Sequence, residues 1–356
     1  MVEVVVVGGG LAGLTAADAL HAAGRSVTVV EARPAVGGRI RTIINGESWF
    51  DLGATWHWSN QPEVAALAAS LGLVAFPQFR DGLAVVDDDE AAPIRRIELG
   101  RPSPAELRFA GGAQALCQRL SARFPAEALH LGAEVTALSL DGAGVVVTTV
   151  DGTGQESQLT CGSVVVAVPP RLAWAGITFT PELPERLVEV LQGTPTWMAT
   201  AVKCVAEYES AFWRDAGLSG LAFSRAGPLV EVHDGCTDGG TAALWGFLSA
   251  SHKFRDLDVD ARTRAVLAQL GRLFGPEAAD PVRYFERDWS NDPYTNNAVT
   301  WFGEPLALGH PAYAEALFDG RLVWAGSETA DAGAGHMEGA VRSGRRAAAQ
   351  VLARRT

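Results

Sequence analysis

Residues 2–42 read VEVVVVGGGLAGLTAADALHAAGRSVTVVEARPAVGGRIRT. Val2 and Val4–Val7 make a β-branched apolar run, which suits a strand buried on both faces of a parallel sheet. Gly8, Gly10 and Gly13 follow at G-x-G-x-x-G spacing and open the alanine-rich segment Leu11–Ala22, which reads as a helix. The second glycine lets backbone approach a pyrophosphate, and the helix N-terminus favours its negative charge. Gly24 stops the helix, Val27–Val30 gives a second buried strand, and Glu31 stands at its end. A carboxylate there accepts hydrogen bonds from ribose hydroxyls. Strand, glycine turn, helix, strand and acid in this order predict a dinucleotide-binding βαβ unit.

The next residues say which dinucleotide. Arg33 and the run Val36-Gly37-Gly38-Arg39-Ile40-Arg41-Thr42 place two more glycines and further cations just after the second strand. A nicotinamide enzyme has no general need for a second basic loop there. A cofactor carried deep inside the protein does, since its pyrophosphate must meet fixed donors. With this E-A-R-x-x-x-G-G-R pattern the chain resembles the flavin-dependent amine oxidase superfamily, which includes monoamine and polyamine oxidases. The resemblance implies FAD, with Gly8, Gly10, Leu11, Ala12, Gly13, Glu31, Ala32, Arg33, Gly38 and Arg39 among its contacts.

Further segments carry the same resemblance. Residues 48–58 read SWFDLGATWHW, and D-L-G-A-T-W is similar to the family segment that passes the flavin ring, implying contacts from Gly53, Ala54, Thr55 and Trp56. Val135 corresponds to the family's contact at the adenine end. Ser163–Val168, ending in Pro169-Pro170, reads as an apolar strand separate from a short strand at Gln158–Thr160. In V-K-C-x-x-x-Y, Lys203 lies on an apolar strand, where a lysine is costly unless bonded or functional. The family's lysine at this place holds a water against flavin N5. Asp288-Trp289 matches its flavin-adjacent tryptophan, and Gly326-Ser327-Glu328 its segment at the ribityl and phosphate groups. His336, Met337 and Ala340 lie at the start of a last helix, whose positive end would face the flavin. The resemblance thus implies catalytic roles for Lys203, Trp289 and His336, with Trp289 and His336 also against the cofactor.

Two departures shape the expectation. Ala298 stands where mammalian members carry the cysteine bonded to flavin, so FAD is expected to be non-covalent. The pair of tyrosines around the substrate amine corresponds to Val299 and His336, a poor cage for a cation. Val299, His336 and Trp58 are the expected substrate contacts.

Composition frames the rest. The 356 residues suggest about two domains. A net charge of −12 argues against a nucleic-acid partner. Four scattered cysteines have neither metal-ligand spacing nor disulfide density, so no metal and a reducing compartment are expected. The first strand follows Met1 directly, and no apolar run approaches the ~20 residues of a membrane span. A cytoplasmic protein without membrane contact is the expectation.

The reading is therefore an α/β fold: a discontinuous Rossmann-like FAD-binding domain of the amine oxidase type (1–76, 110–192 and 291–356) with a smaller α+β substrate domain (77–109 and 193–290). The expected reaction is oxidation of an amine C–N bond, with hydride passing to flavin N5 and oxygen reoxidising it to give hydrogen peroxide. The alternatives are a C–C dehydrogenase of the same superfamily, similar to the desaturases or protoporphyrinogen oxidase, and a non-catalytic FAD-holding binding protein. Between Pro77 and Phe109 the family places a longer covering lobe. The short segment here predicts a substrate face open to solvent or closed by a second copy in a homodimer.

Overall fold

The computed structural model describes residues 2–142, 144–249, 252–296 and 308–354. The opening strand β1 (Val2–Val7) lies inside an eight-stranded sheet, paired in parallel with β2 (Val27–Glu31) and with the strand Glu156–Val166. Leu129–Leu131 and Leu322–Trp324 extend the parallel part, and Ala133–Asp141 and Gly144–Asp151 add an antiparallel hairpin. The valine run divides by parity. Val4 and Val6 face a core shared with α1 (Leu11–Ala22) and the final helix Met337–Ala353, while Val5 and Val7 face a second core around Trp324 and Leu191. Burial on both faces is why the strand needs apolar residues at every position.

The first and last helices pack directly. A Cβ on Gly344 would come within 2.4 Å of the Ala12 carbonyl oxygen, so only glycine permits this approach. The Ser343 hydroxyl accepts the Gly326 N–H at 3.1 Å, fixing the turn after Leu322–Trp324 to the same helix.

A second, seven-stranded sheet runs in the order 283–288, 202–208, 242–248, 229–234, 218–224, 83–87, 95–97. It is backed by the helix Val259–Phe274, which contributes Val266, Leu270 and Leu273 to the core. A hairpin forms between Leu83–Asp87 and Arg95–Ile97 and joins this sheet. The two ends of the 77–109 segment behave differently: Glu106–Phe109 is the middle strand of a small separate sheet, paired with Ala75–Pro77 on one side and His57–Trp58 on the other.

One reading is corrected. Gln158–Thr160 and Ser163–Val168 are not separate strands, since Glu156–Val166 is continuous. Its first half pairs with Gly144–Asp151 and its second half with β1, so ladder bonds carry it through Cys161-Gly162. Among the described residues, no helix is long and apolar enough to cross a membrane.

Candidate active site

The glycine turn is shaped by backbone proximity. A Cβ on Gly13 would lie 2.0 Å from the Gly8 carbonyl oxygen, which is the close packing the third glycine provides. Gly10 has open space around it, with its nearest neighbour for a Cβ being Gly38 Cα at 4.0 Å. Gly10 caps α1 without a side-chain bond, so the helix start is left for a ligand. Glu31 is buried at the end of β2, where its carboxylate accepts the Gly9 N–H at 2.6 Å and the Arg33 N–H at 2.9 Å. It therefore fixes the loop as well as facing the cavity.

That cavity has a volume of about 1030 Å³. Gly8, Gly10, Leu11, Ala12, Glu31, Ala32, Arg33, Gly38 and Arg39 line one half. Val135, with Glu134 and Ala133, closes the end near β2. Gly53, Ala54, Thr55, Trp56, Gly326, Ser327, Met337, Ala340, His336 and Trp58 line it farther along. Segments from three distant parts of the chain thus converge on one space. Its volume, free glycine backbone and two helix starts without side-chain caps (Gly10 and His336) match a dinucleotide such as FAD. No residue between 59 and 132 lines it, so the short 77–109 segment supplies no cover from above.

Four expected site residues stand off the lining. Gly13 is taken up in the turn. Glu328 is fully buried behind Ser327 and forms a two-pronged ion pair with Arg39, one prong at 2.9 Å. Burial would raise the Glu328 carboxyl, but the Arg39 charge and the Ser327 bond outweigh it and hold it below the usual carboxylate range. Trp289 is buried, with its indole N–H donated to the Leu52 carbonyl at 2.8 Å. Lys203 is fully buried and donates to the Gly53 carbonyl at 3.1 Å and to the Thr55 hydroxyl, two groups that do line the cavity. Burial lowers its ammonium to about 7, and the Asp51 charge pulls the other way. Ala298 and Val299 lie outside the described residues.

Other cavity residues escaped the sequence reading. Trp245 and Phe247 come from the strand Ala242–Leu248, where period-2 alternation puts both on one face. Trp56 packs on Trp245 with ring centroids 4.8 Å apart, and Trp245 meets Phe247 edge-on at 5.4 Å. On the same lining, His336 contacts the rings of both Trp58 at 5.1 Å and Trp197 at 5.9 Å. An exposed tryptophan just before a strand was the only signal for Trp197. The result is a cavity with a polar, glycine-lined half and an aromatic half.

A family model described as flavin containing amine oxidoreductase matches residues 11–96 and 87–352. The AofH protein of Mycobacterium tuberculosis is 30% identical, with 99% of this chain and 97% of the relative covered. The putrescine oxidase of Kocuria rosea is 28% identical, covering 98% of this chain and 95% of the relative. That alignment runs over 456 positions against 356 residues here, so the relative carries segments with no counterpart in this chain. Among solved structures, cyclohexylamine oxidase from Brevibacterium oxydans IH-35A has the same fold, with a TM-score of 0.86 at 23% identity over 98% of both chains. Putrescine oxidase bound to putrescine superposes at 0.84, with 24% identity over 99% of both chains.

Proposed function

This chain belongs to the flavin-containing amine oxidoreductases and takes FAD as its cofactor, and from that premise we propose that it oxidises amines with a bulky apolar body, bound as the free base. The observation that carries the reading is the aromatic half of the cavity. Trp56, Trp245 and Phe247 form one cluster of rings on its lining and Trp58, His336 and Trp197 another. Among the described lining residues the carboxylates are Glu31 and Glu134, both toward the dinucleotide end. An ammonium in the aromatic half would lose its hydration without gaining a described anionic partner, which favours the neutral amine.

Held in this cavity, FAD would supply the acceptor for a hydride from the carbon next to nitrogen, and oxygen would take up the electrons as hydrogen peroxide. The protein's part is to bind, orient and exclude water. The glycine turn and the start of α1 would hold the pyrophosphate, and Glu31 the ribose. The start of Met337–Ala353 favours negative charge at the opposite end. Lys203 ties Gly53 and Thr55 together and keeps that wall rigid. No proton needs to leave the substrate through a side chain, because the amine enters deprotonated. The imine product leaves and hydrolyses in water.

The test is anaerobic addition of amines to the yellow holoprotein. Bleaching by 4-phenylbutylamine, faster than by n-butylamine or putrescine, with peroxide formed on admitting air, is the expected result. A flavin that no amine bleaches would overturn the proposal.

A further inference from the structure

Trp197 borders the cavity with 53% of its surface exposed. This exposure is imposed by a firmly held backbone. The Trp197 N–H donates to Glu328 Oε1 at 3.2 Å, and its carbonyl accepts from Arg39 Nη1 at 2.9 Å. Those two groups are paired with each other, so a buried ion pair grips the residue from both sides. Met198 follows at φ 67°, a left-handed conformation that a residue with a side chain adopts only under constraint. The indole then lies beside His336 with ring centroids 5.9 Å apart, while His336 meets Trp58 edge-on.

A rigid, half-exposed indole at the edge of an aromatic chamber gains from being covered. Aromatic rings meet it in offset or edge-on geometry and bury a large area at little entropic loss. We infer that Trp197 is a specificity-determining residue of the substrate entrance, stacking against an aryl or similarly flat apolar group carried by the amine. The inference rests on the amine-oxidising reading and names the part of the substrate that the rim recognises. A linear aliphatic amine would not reach across this contact with a flat face, so the residue separates the two classes by binding rather than by chemistry.

The test compares 4-phenylbutylamine with n-butylamine, which share a chain and differ by one ring, on the holoenzyme and on Trp197→Ala, Trp197→Leu and Trp197→Phe. The matching alcohols, 4-phenyl-1-butanol and 1-butanol, serve as non-oxidised ligands whose dissociation constants are read from shifts in the flavin spectrum. In the Ala and Leu variants, KM for the phenyl amine and Kd for the phenyl alcohol should rise about 10-fold, the size of a lost aromatic contact. The ratio of phenyl to butyl constants should carry that rise, and Phe should restore most of the loss, since it keeps a flat ring. If Ala at this position does not hold flavin, the Leu and Phe variants decide. Phenyl and butyl constants that move together, or not at all, would overturn the role of Trp197 while wild-type oxidation of both amines leaves the amine reading standing. A wild-type protein that oxidises neither amine overturns both.

Discussion

The Lys203 ammonium stands 3.9 Å from the centre of the Trp245 ring. His233 also stacks on Trp245, with centroids 4.5 Å apart and planes 29° from parallel. Trp245 lines the cavity and Lys203 does not, so the lysine acts on the chamber through the tryptophan, Gly53 and Thr55.

Burial brings Lys203 from 10.5 to about 7 in the folded chain. Between these values the unfolded state binds the proton and the folded state does not, so folding gains stability as pH rises through that window. The contribution is fully present above 10.5 and lost as pH falls through about 7. Lys203→Met lacks this dependence. Thermal melts from pH 6 to 10 should therefore show the wild type improving relative to the variant as pH rises, by on the order of a few kcal/mol. Parallel curves would place the lysine's titration outside this window.

Gly10 and Gly13 should separate cofactor binding from folding. A methyl at Gly10 meets nothing nearer than 4.0 Å and projects where the cavity lies, at an ordinary extended backbone angle. Gly10→Ala should keep its far-ultraviolet dichroism and melt normally while losing FAD affinity about 10-fold or more, since the pyrophosphate approaches backbone there. Gly13→Ala drives a methyl onto the Gly8 carbonyl and should fold poorly or not at all. Equal FAD titrations for Gly10→Ala and wild type would remove the turn from the cofactor site.

Glu31 holds two backbone N–H groups as well as facing the cavity. Glu31→Ala leaves both donors without their acceptor, a cost of about 1–3 kcal/mol each where buried. The apoprotein should melt earlier and bind FAD more weakly, and Glu31→Gln should fall between. An apoprotein melting as the wild type does, with only FAD affinity reduced, would confine Glu31 to the ribose.

Breaking the Arg39–Glu328 pair should be costly. Glu328→Gln leaves Arg39 without its anion in a largely buried setting, and such losses run to about 3–5 kcal/mol. Urea unfolding of the apoprotein measures it. A loss below about 1 kcal/mol would mean that solvent reaches the pair freely.

Ala298 bears no nucleophile, so acid precipitation should send all of the FAD into the supernatant. Yellow colour remaining in a washed pellet would show a covalent link elsewhere.

What the sequence made legible was local. The glycine spacing, the doubly buried valine run of β1 and the carboxylate ending β2 are each decided within a few residues, and each took its place as read. Lys203 also stood out, because a lysine among Val202, Cys204 and Val205 has nowhere polar to go without a partner. Trp245 and Phe247 were not legible as cavity residues. Which face of their strand meets the cavity depends on how the second sheet docks. Trp197 reaches the site through Arg39 and Glu328, 289 positions apart in the chain. Cys161-Gly162 broke the apolar run of one strand, and only its two flanking ladders reveal it as continuous.

The packing of the last helix against α1 also sets an order of events during synthesis. The ribosome makes α1 more than 300 residues before its cover, Met337–Ala353. Until that helix emerges, Leu14 and Ala16 have lost part of their core, and Ser343 cannot hold the turn at Gly326. A nascent chain therefore offers an apolar face to chaperones rather than a finished binding site.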